Sequence, residues 1–317
     1  MTGSAAMMTN AAPEAIGRAR DTLVKALYLK RMKHLLKSDP EMVISQLEEI
    51  RRAICQISNF RVLVIANIEK LKRPVSSWEI LATGQDTSKP LAPIDRRLAR
   101  LSNAGKHPGD LAYIIPMPID SSFAYMMAKG PAELQDPRVP ALMVAISYLD
   151  AVEGPLWTAV RGTGLAYGTY FSRAINSGHV TYTIYRSPDA FKAFAASKEV
   201  LNKFISGETS FDTLALEGAI SSIVLEFANG QSTMSAAAQE SFVRQVIRDL
   251  PSDWNDVILK RVRTVDVEQI KQAMKDILLP VLTPESTSLF ITCAAVMQEV
   301  SDLYRPLFLA SSESGRS

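Results

Sequence analysis

Cysteine and histidine are scarce in this chain of 317 residues, which has two cysteines and three histidines. Cys55 and Cys293 lie far apart in apolar runs, so we expect two buried, reduced thiols rather than a disulfide or a nucleophile. His34, His107 and His179 show no paired spacing, and His-x-x-Glu-His is absent in both orientations. The sequence therefore predicts surface positions for all three histidines and no metal site.

An excess of one charge, a long apolar run and a secretion signal are also missing. The chain has 35 basic and 33 acidic residues, a balance that argues against a dedicated nucleic-acid binder. We interpret the basic cluster 96–100 as a solvated helix face or a linker. No apolar run is long enough to cross a bilayer, so no membrane partner is expected. Together with the few cysteines, this favours an intracellular compartment, the cytoplasm or the mitochondrion, with the cytoplasm preferred.

The first 85 residues are predicted to contain a helical segment over 13–36 and then the end of an α+β domain. Asp39 and Pro40 form a helix start with a capping carboxylate and a proline at the first helical position. Apolar residues then recur at helical spacing, at Val43, Leu47, Ile50 and Ile54. The run 60–66 is predicted to be a buried strand, and 86–109 is predicted to be a linker because it is rich in polar and turn-forming residues.

Residues 110–300 alternate strand and helix patterns and are predicted to form one complete α+β domain, followed by a tail over 301–317 that is disordered from 311. The order of elements predicts an antiparallel or mixed sheet with helices packed on one face. Predicted strands cover 112–119, 122–127, 167–172, 180–185 and 286–293, with a hairpin turn at 176–178. Predicted helices begin at 136, 156, 187, 213, 232, 252 and 265.

A glycine-rich turn between a helix end and a strand carries Arg161 and Tyr167 six residues apart. Two interpretations stand at this point. Arg161 could be a cation at a helix C-terminus, worth about 0.3–1 kcal/mol, with Tyr167 packed on the sheet. Alternatively, the guanidinium and the phenol donate hydrogen bonds to one developing oxyanion. Glycines at 162, 164 and 168 favour the second, because they leave room for another backbone.

The segment Glu153–Gly168 resembles the C-terminal half of the pitrilysin–insulinase metallopeptidases, and within them the presequence-protease-like branch. Tyr185–Pro188 is similar to the strand-to-helix junction of that branch, and Arg263–Ile270 resembles the closing helix of the family. The resemblance extends over about 110–295. Leu165 departs from the family, whose members often have another glycine there.

This resemblance implies two homologous halves, each of two α+β domains, that enclose a chamber for peptide substrates. The N-terminal half of the same polypeptide would bind Zn²⁺, so this chain is expected to hold no metal and to be inactive alone. Arg161 and Tyr167 match the family's Arg-x5-Tyr pair, which stabilises the scissile carbonyl, and Gly162, Gly164 and Gly168 would contact substrate. Phe171 and Tyr182 are expected in the core. The alternative is a non-catalytic structural or binding subunit of the same fold.

Overall fold

The computed structural model describes residues 2–73, 75–94, 101–109 and 111–294. The basic cluster 96–100 and the tail 301–317 lie outside the described residues. The helices are α1 (Thr2–Asn10), α2 (Ile16–Ala19), α3 (Thr22–Ser38), α4 (Pro40–Ile54), α5 (Asn103–Lys106), α6 (Val139–Leu149), α7 (Ala190–Ser206), α8 (Thr213–Gly230), α9 (Met234–Phe242), α10 (Trp254–Arg263) and α11 (Val267–Ala273). The strands are β1 (Leu111–Met117), β2 (Ser122–Lys129), β3 (Gly168–Ala174), β4 (His179–Ser187) and β5 (Thr287–Ala294).

Two compact units make up the chain. The sheet unit consists of Met1–Asp21, Arg97–Phe227 and Asp253–Ser317, and it contains all five strands. The helical unit consists of Thr22–Arg96 and Ala228–Ser252 and includes α3, α4 and α9. Within the described residues, no helix combines the length and apolar character that a membrane span requires.

The sheet has the strand order β1-β5-β2-β4-β3. β1 pairs with β5 in parallel, whereas the other neighbouring strands are antiparallel. This mixed sheet confirms the predicted α+β fold, and β1 is at an edge, as its prolines indicated. Helix α7 contacts β2 and β4, while α6 contacts β3, α10 and α11. Fully buried side chains from both layers form the core, among them Met126, Tyr182, Ile184, Leu142, Leu149, Leu201 and Met274.

Local signals account for several boundaries in the sheet unit. Gly178 has a φ of +72° at the predicted hairpin turn between β3 and β4. Asp189 caps α7 by accepting hydrogen bonds from the backbone N–H groups of Phe191 and Lys192, and Gly207 ends that helix in the left-handed region. Helix α6 begins at Val139, later than predicted, and the Asp136 carboxylate outside the helix accepts from the backbone N–H of Arg138.

Two predictions for the helical unit are wrong. Residues 60–66 form no strand, and the N–H of Phe60 bonds to the nearby Ile57 carbonyl at 3.1 Å rather than to another strand. A strand needs a neighbouring strand to pair its backbone groups, which periodicity alone does not provide. Cys55 is exposed rather than buried, because it lies at the C-cap of α4. Cys293 is buried as predicted, and within the described residues neither cysteine forms a disulfide.

Candidate functional site

A widened helical turn presents Arg161. Residues Trp157–Arg161 form a π-helical turn, in which the N–H of Gly162 bonds to the Trp157 carbonyl at 2.8 Å. Val160 is buried and anchors this turn to the core, whereas Arg161 is exposed. Gly164 has a φ of +77° with open space beside it, so the turn uses a conformation that other residues adopt only with strain.

The strand-to-helix junction after β4 supports this turn from the other side. The N–H of Tyr167 donates to the Arg186 carbonyl at 2.9 Å, and the Ser187 hydroxyl donates to the Leu165 carbonyl at 2.5 Å. Ser187 is fully buried and also accepts from the N–H of Asp189. These bonds fix the position of Tyr167 relative to β4.

Aromatic rings and guanidinium groups are stacked on the exposed surface of this turn. The Arg161 guanidinium carbon lies 4.6 Å from the centroid of the Tyr167 ring and 5.9 Å from that of Trp157, both within cation–π range. Tyr167 meets Tyr185 edge to face at 6.1 Å, and Tyr185 meets Phe123 at 5.4 Å. The structure thus brings together the two residues singled out from the sequence.

The exposure of Tyr167 shows how this residue is packed. Its side chain is 59% exposed, so it is not buried in the sheet as a packing residue would be. Gly164 and Gly168 have open space where a side chain would stand, while a Cβ at Gly162 would lie 2.7 Å from the Thr158 carbonyl oxygen. Arg161 and Tyr167 are therefore both exposed, and two of the three nearby glycines have open space beside them.

The sequence did not predict the environment of Asp150, a partly buried residue with one buried carboxylate oxygen. Asp150, at the C-cap of α6, accepts a hydrogen bond from the backbone N–H of Phe171 in edge strand β3 at 2.8 Å. Its second oxygen has no partner among the described residues. Burial raises the pKa of Asp150 to about 7, although the bond from Phe171 opposes this shift. The sequence signal that could have identified Asp150 is its position at a helix C-terminus, where the helix dipole disfavours a negative charge.

Phe171 and Tyr182 belong to the core, as expected. Both are buried, and their ring centroids are 4.4 Å apart. The Tyr182 hydroxyl pairs with the hydroxyl of Ser197 at 2.6 Å, and burial raises the pKa of Tyr182 above its ordinary value. These contacts place both residues in the packed interior of the sheet unit.

The prediction of a surface position is wrong for His179. This residue begins β4, is buried, and its Nε2 lies 2.7 Å from the Gly105 carbonyl oxygen of α5. Burial lowers the pKa of His179, so the neutral ring is favoured. His34 and His107 are exposed, as predicted. The described residues do not fit a zinc site, because they include no group of three His, Cys, Asp or Glu side chains placed to hold a metal.

No protein-family model matches the chain. An uncharacterized protein of Schizosaccharomyces pombe is 29% identical over 304 residues, which cover 93% of this chain and 29% of that protein. An uncharacterized protein of Saccharomyces cerevisiae is 26% identical over 272 residues, which cover 83% of this chain and 26% of that protein. The chain thus spans less than a third of these curated relatives.

Solved structures share the fold. The peptidase M16 inactive domain from Pseudomonas fluorescens superposes with a TM-score of 0.52 at 17% identity, covering 71% of this chain and 52% of that one. A protease from Helicobacter pylori superposes with a TM-score of 0.53 at 12% identity, covering 69% and 53%. At these identities the likeness is one of fold. The five-stranded mixed sheet with its packed helices is the fold of M16 peptidase-like domains.

Proposed function

We propose that this chain is the C-terminal, non-zinc-binding half of a zinc-dependent peptidase of the pitrilysin–insulinase type, which closes a chamber around peptide substrates. The supporting observation is the stacking of Arg161 on Tyr167 at an exposed turn, where Gly164 and Gly168 have open space beside them. Zinc would be held by the N-terminal half of the same polypeptide. The compartment is proposed to be cytoplasmic rather than mitochondrial.

In this proposal, Arg161 and Tyr167 donate hydrogen bonds to the oxygen of the scissile carbonyl. Negative charge grows on that oxygen as the peptide bond is attacked, so donors fixed in advance stabilise the transition state more than the bound substrate. The cation–π contact and the backbone bond from Tyr167 to Arg186 supply this fixation. Gly162, Gly164 and Gly168 would contact the substrate backbone, and Gly164 and Gly168 have open space beside them for it.

The test measures zinc content and peptide hydrolysis for this chain alone and joined to a zinc-binding N-terminal half. We expect neither zinc nor activity in the chain alone. In the joined protein, Arg161→Ala and Tyr167→Phe should each lower kcat by about 100- to 1,000-fold, the usual effect of losing one such donor. The matched controls Arg52→Ala and Tyr28→Phe, exposed residues of the helical unit, should leave kcat unchanged.

A second function, a structural or binding subunit that has lost the chemistry, is favoured by one comparison. The Pseudomonas fluorescens structure of the same fold is described as an inactive domain. This function predicts that Arg161→Ala and Tyr167→Phe do not change turnover in the joined protein. Unchanged turnover in both variants would contradict the proposed catalytic role and support the subunit.

A further inference from the structure

A β-bulge places Arg186 beside the Arg161–Tyr167 pair. Between β2 and β4, Ser122 pairs with Ser187 and Ala124 pairs with Ile184, so Phe123 alone faces two residues, Tyr185 and Arg186. A bulge of this kind redirects side chains and is common beside functional sites. Arg186 has a φ of +51°, a left-handed conformation that costs an L-residue free energy.

The bulge determines the direction of the Arg186 side chain. Val180, Tyr182 and Ile184 alternate along β4 and are fully buried, so an uninterrupted strand would direct residue 186 to the same buried face. Arg186 is instead exposed, and its guanidinium carbon lies 5.6 Å from the centroid of the Tyr185 ring. A charged side chain is thus kept out of the core and placed next to the aromatic rings.

The exposed surface formed by Arg161, Tyr167, Tyr185 and Arg186 has two guanidinium groups. Within the described ranges, neither arginine forms a salt bridge. Each guanidinium lies near an aromatic ring, and stacking occupies the face of a guanidinium but leaves its in-plane N–H groups free. Those groups match a carboxylate in both charge and geometry.

The geometry points to Arg186 as a specificity-determining residue that binds a carboxylate of the peptide substrate. This inference rests on the proposed function, in which Arg161 and Tyr167 engage the scissile carbonyl. Arg186 would then contact a residue a short distance along the peptide, and the second guanidinium would add attraction for acidic peptides. The carboxylate belongs either to an internal Asp or Glu side chain or to the C-terminus of the peptide.

The test measures binding of matched fluorescent peptides to the 317-residue chain by anisotropy. One arm replaces an internal Glu by Gln, and the other amidates the C-terminus. We expect one of these changes to weaken binding to the wild-type chain about 10-fold, as for a partly exposed charge-assisted hydrogen bond. Arg186→Met should reduce that difference to less than about 2-fold without weakening the neutral peptide, and Arg186→Lys should keep part of it.

Arg52→Met is the matched control, and it should keep the full preference for the peptide with the free carboxylate. Thermal unfolding should show that Arg186→Met is folded. A wild-type chain without preference, or an undiminished preference in Arg186→Met, overturns this inference. The two proposals fail separately. If the joined protein hydrolyses peptides but the chain shows no carboxylate preference, only the role of Arg186 is contradicted. If the preference depends on Arg186 but the joined protein hydrolyses no peptide, only the proposed catalysis is contradicted.

Discussion

Helices α4 and α6 have similar apolar spacing but different surroundings. In α6, Leu142 and Leu149 are fully buried against the sheet unit's other elements. In α4, Leu47 and Ile54 are 60% and 59% exposed, although they recur at the same helical spacing. Periodicity therefore predicts a helix and its apolar face, but it does not predict whether another element covers that face. Tertiary contacts decide how much each apolar residue contributes to stability.

Truncation of one leucine in each helix tests this difference most strongly. Leu142→Ala should lower the free energy of unfolding by about 2–5 kcal/mol, because it removes buried apolar surface and leaves a cavity. Leu47→Ala should change it by about 0.5 kcal/mol or less, because the side chain is already in water. Urea denaturation of both variants gives the two values. Equal losses would mean that the α4 face is covered in solution.

Carboxylates at the two helices, Asp150 at the C-cap of α6 and Glu48 within α4, provide a second contrast. The pKa of Asp150 is higher in the folded chain, about 7, than in the unfolded chain, so the folded state binds more protons between about pH 4 and pH 7. Stability should therefore fall as the pH rises through this window, by at most about 1.4 kcal/mol per pH unit. Urea denaturation across this range measures the slope.

Asp150→Asn should remove this contribution to the slope, because the amide oxygen can still accept from Phe171 but does not titrate. Glu48 in α4 is the control. Its pKa is lowered by the hydrogen bond from Arg51, both side chains are well exposed, and Glu48→Gln should leave the profile between pH 5 and pH 8 unchanged. An unchanged slope in Asp150→Asn would exclude Asp150 as its source.

Substitution of glycines with positive φ should give the smallest change in stability. One such glycine in each unit allows a direct comparison of the two units. Gly164 in the sheet unit and Gly84 in the helical unit have φ values of +77° and +73°, and both have open space beside them. Alanine at either position should cost about 1 kcal/mol from backbone strain alone. Gly218→Ala within α8 is the control and should stabilise by up to about 1 kcal/mol. Thermal unfolding distinguishes a cost from a gain.

The sequence predicted features that depend on a few neighbouring residues. Asp39 caps α4 and Gly178 lies in the hairpin turn, because these signals act through local backbone bonds. The turn with Arg161 and Tyr167 was predicted for the same reason, with a π-helical rather than an α-helical geometry at its start. Their catalytic role remains a prediction. Helix α7, which was predicted to begin at 187, begins at Ala190 with Asp189 as its N-cap.

Features that depend on distant residues were not predicted. His179 is buried because α5 lies against it, and its sequence neighbours contain no signal for that contact. The bulge at Arg186 depends on the register between β2 and β4, which an alternating pattern does not define. Residues 60–66 have the apolar character of a strand but no strand neighbour to pair with in the described chain.

The position of β5 between β1 and β2 has a consequence for biosynthesis. β1 and β2 are successive in the chain, yet each pairs with β5 rather than with the other. On the ribosome, β2, β3 and β4 can pair as soon as residue 187 has emerged, whereas β1 must wait for residues 287–294. Because such long-range pairing is slow, β1 and one side of β2 remain unpaired edges until residues 287–294 have emerged, and chaperones can act on these edges during that interval.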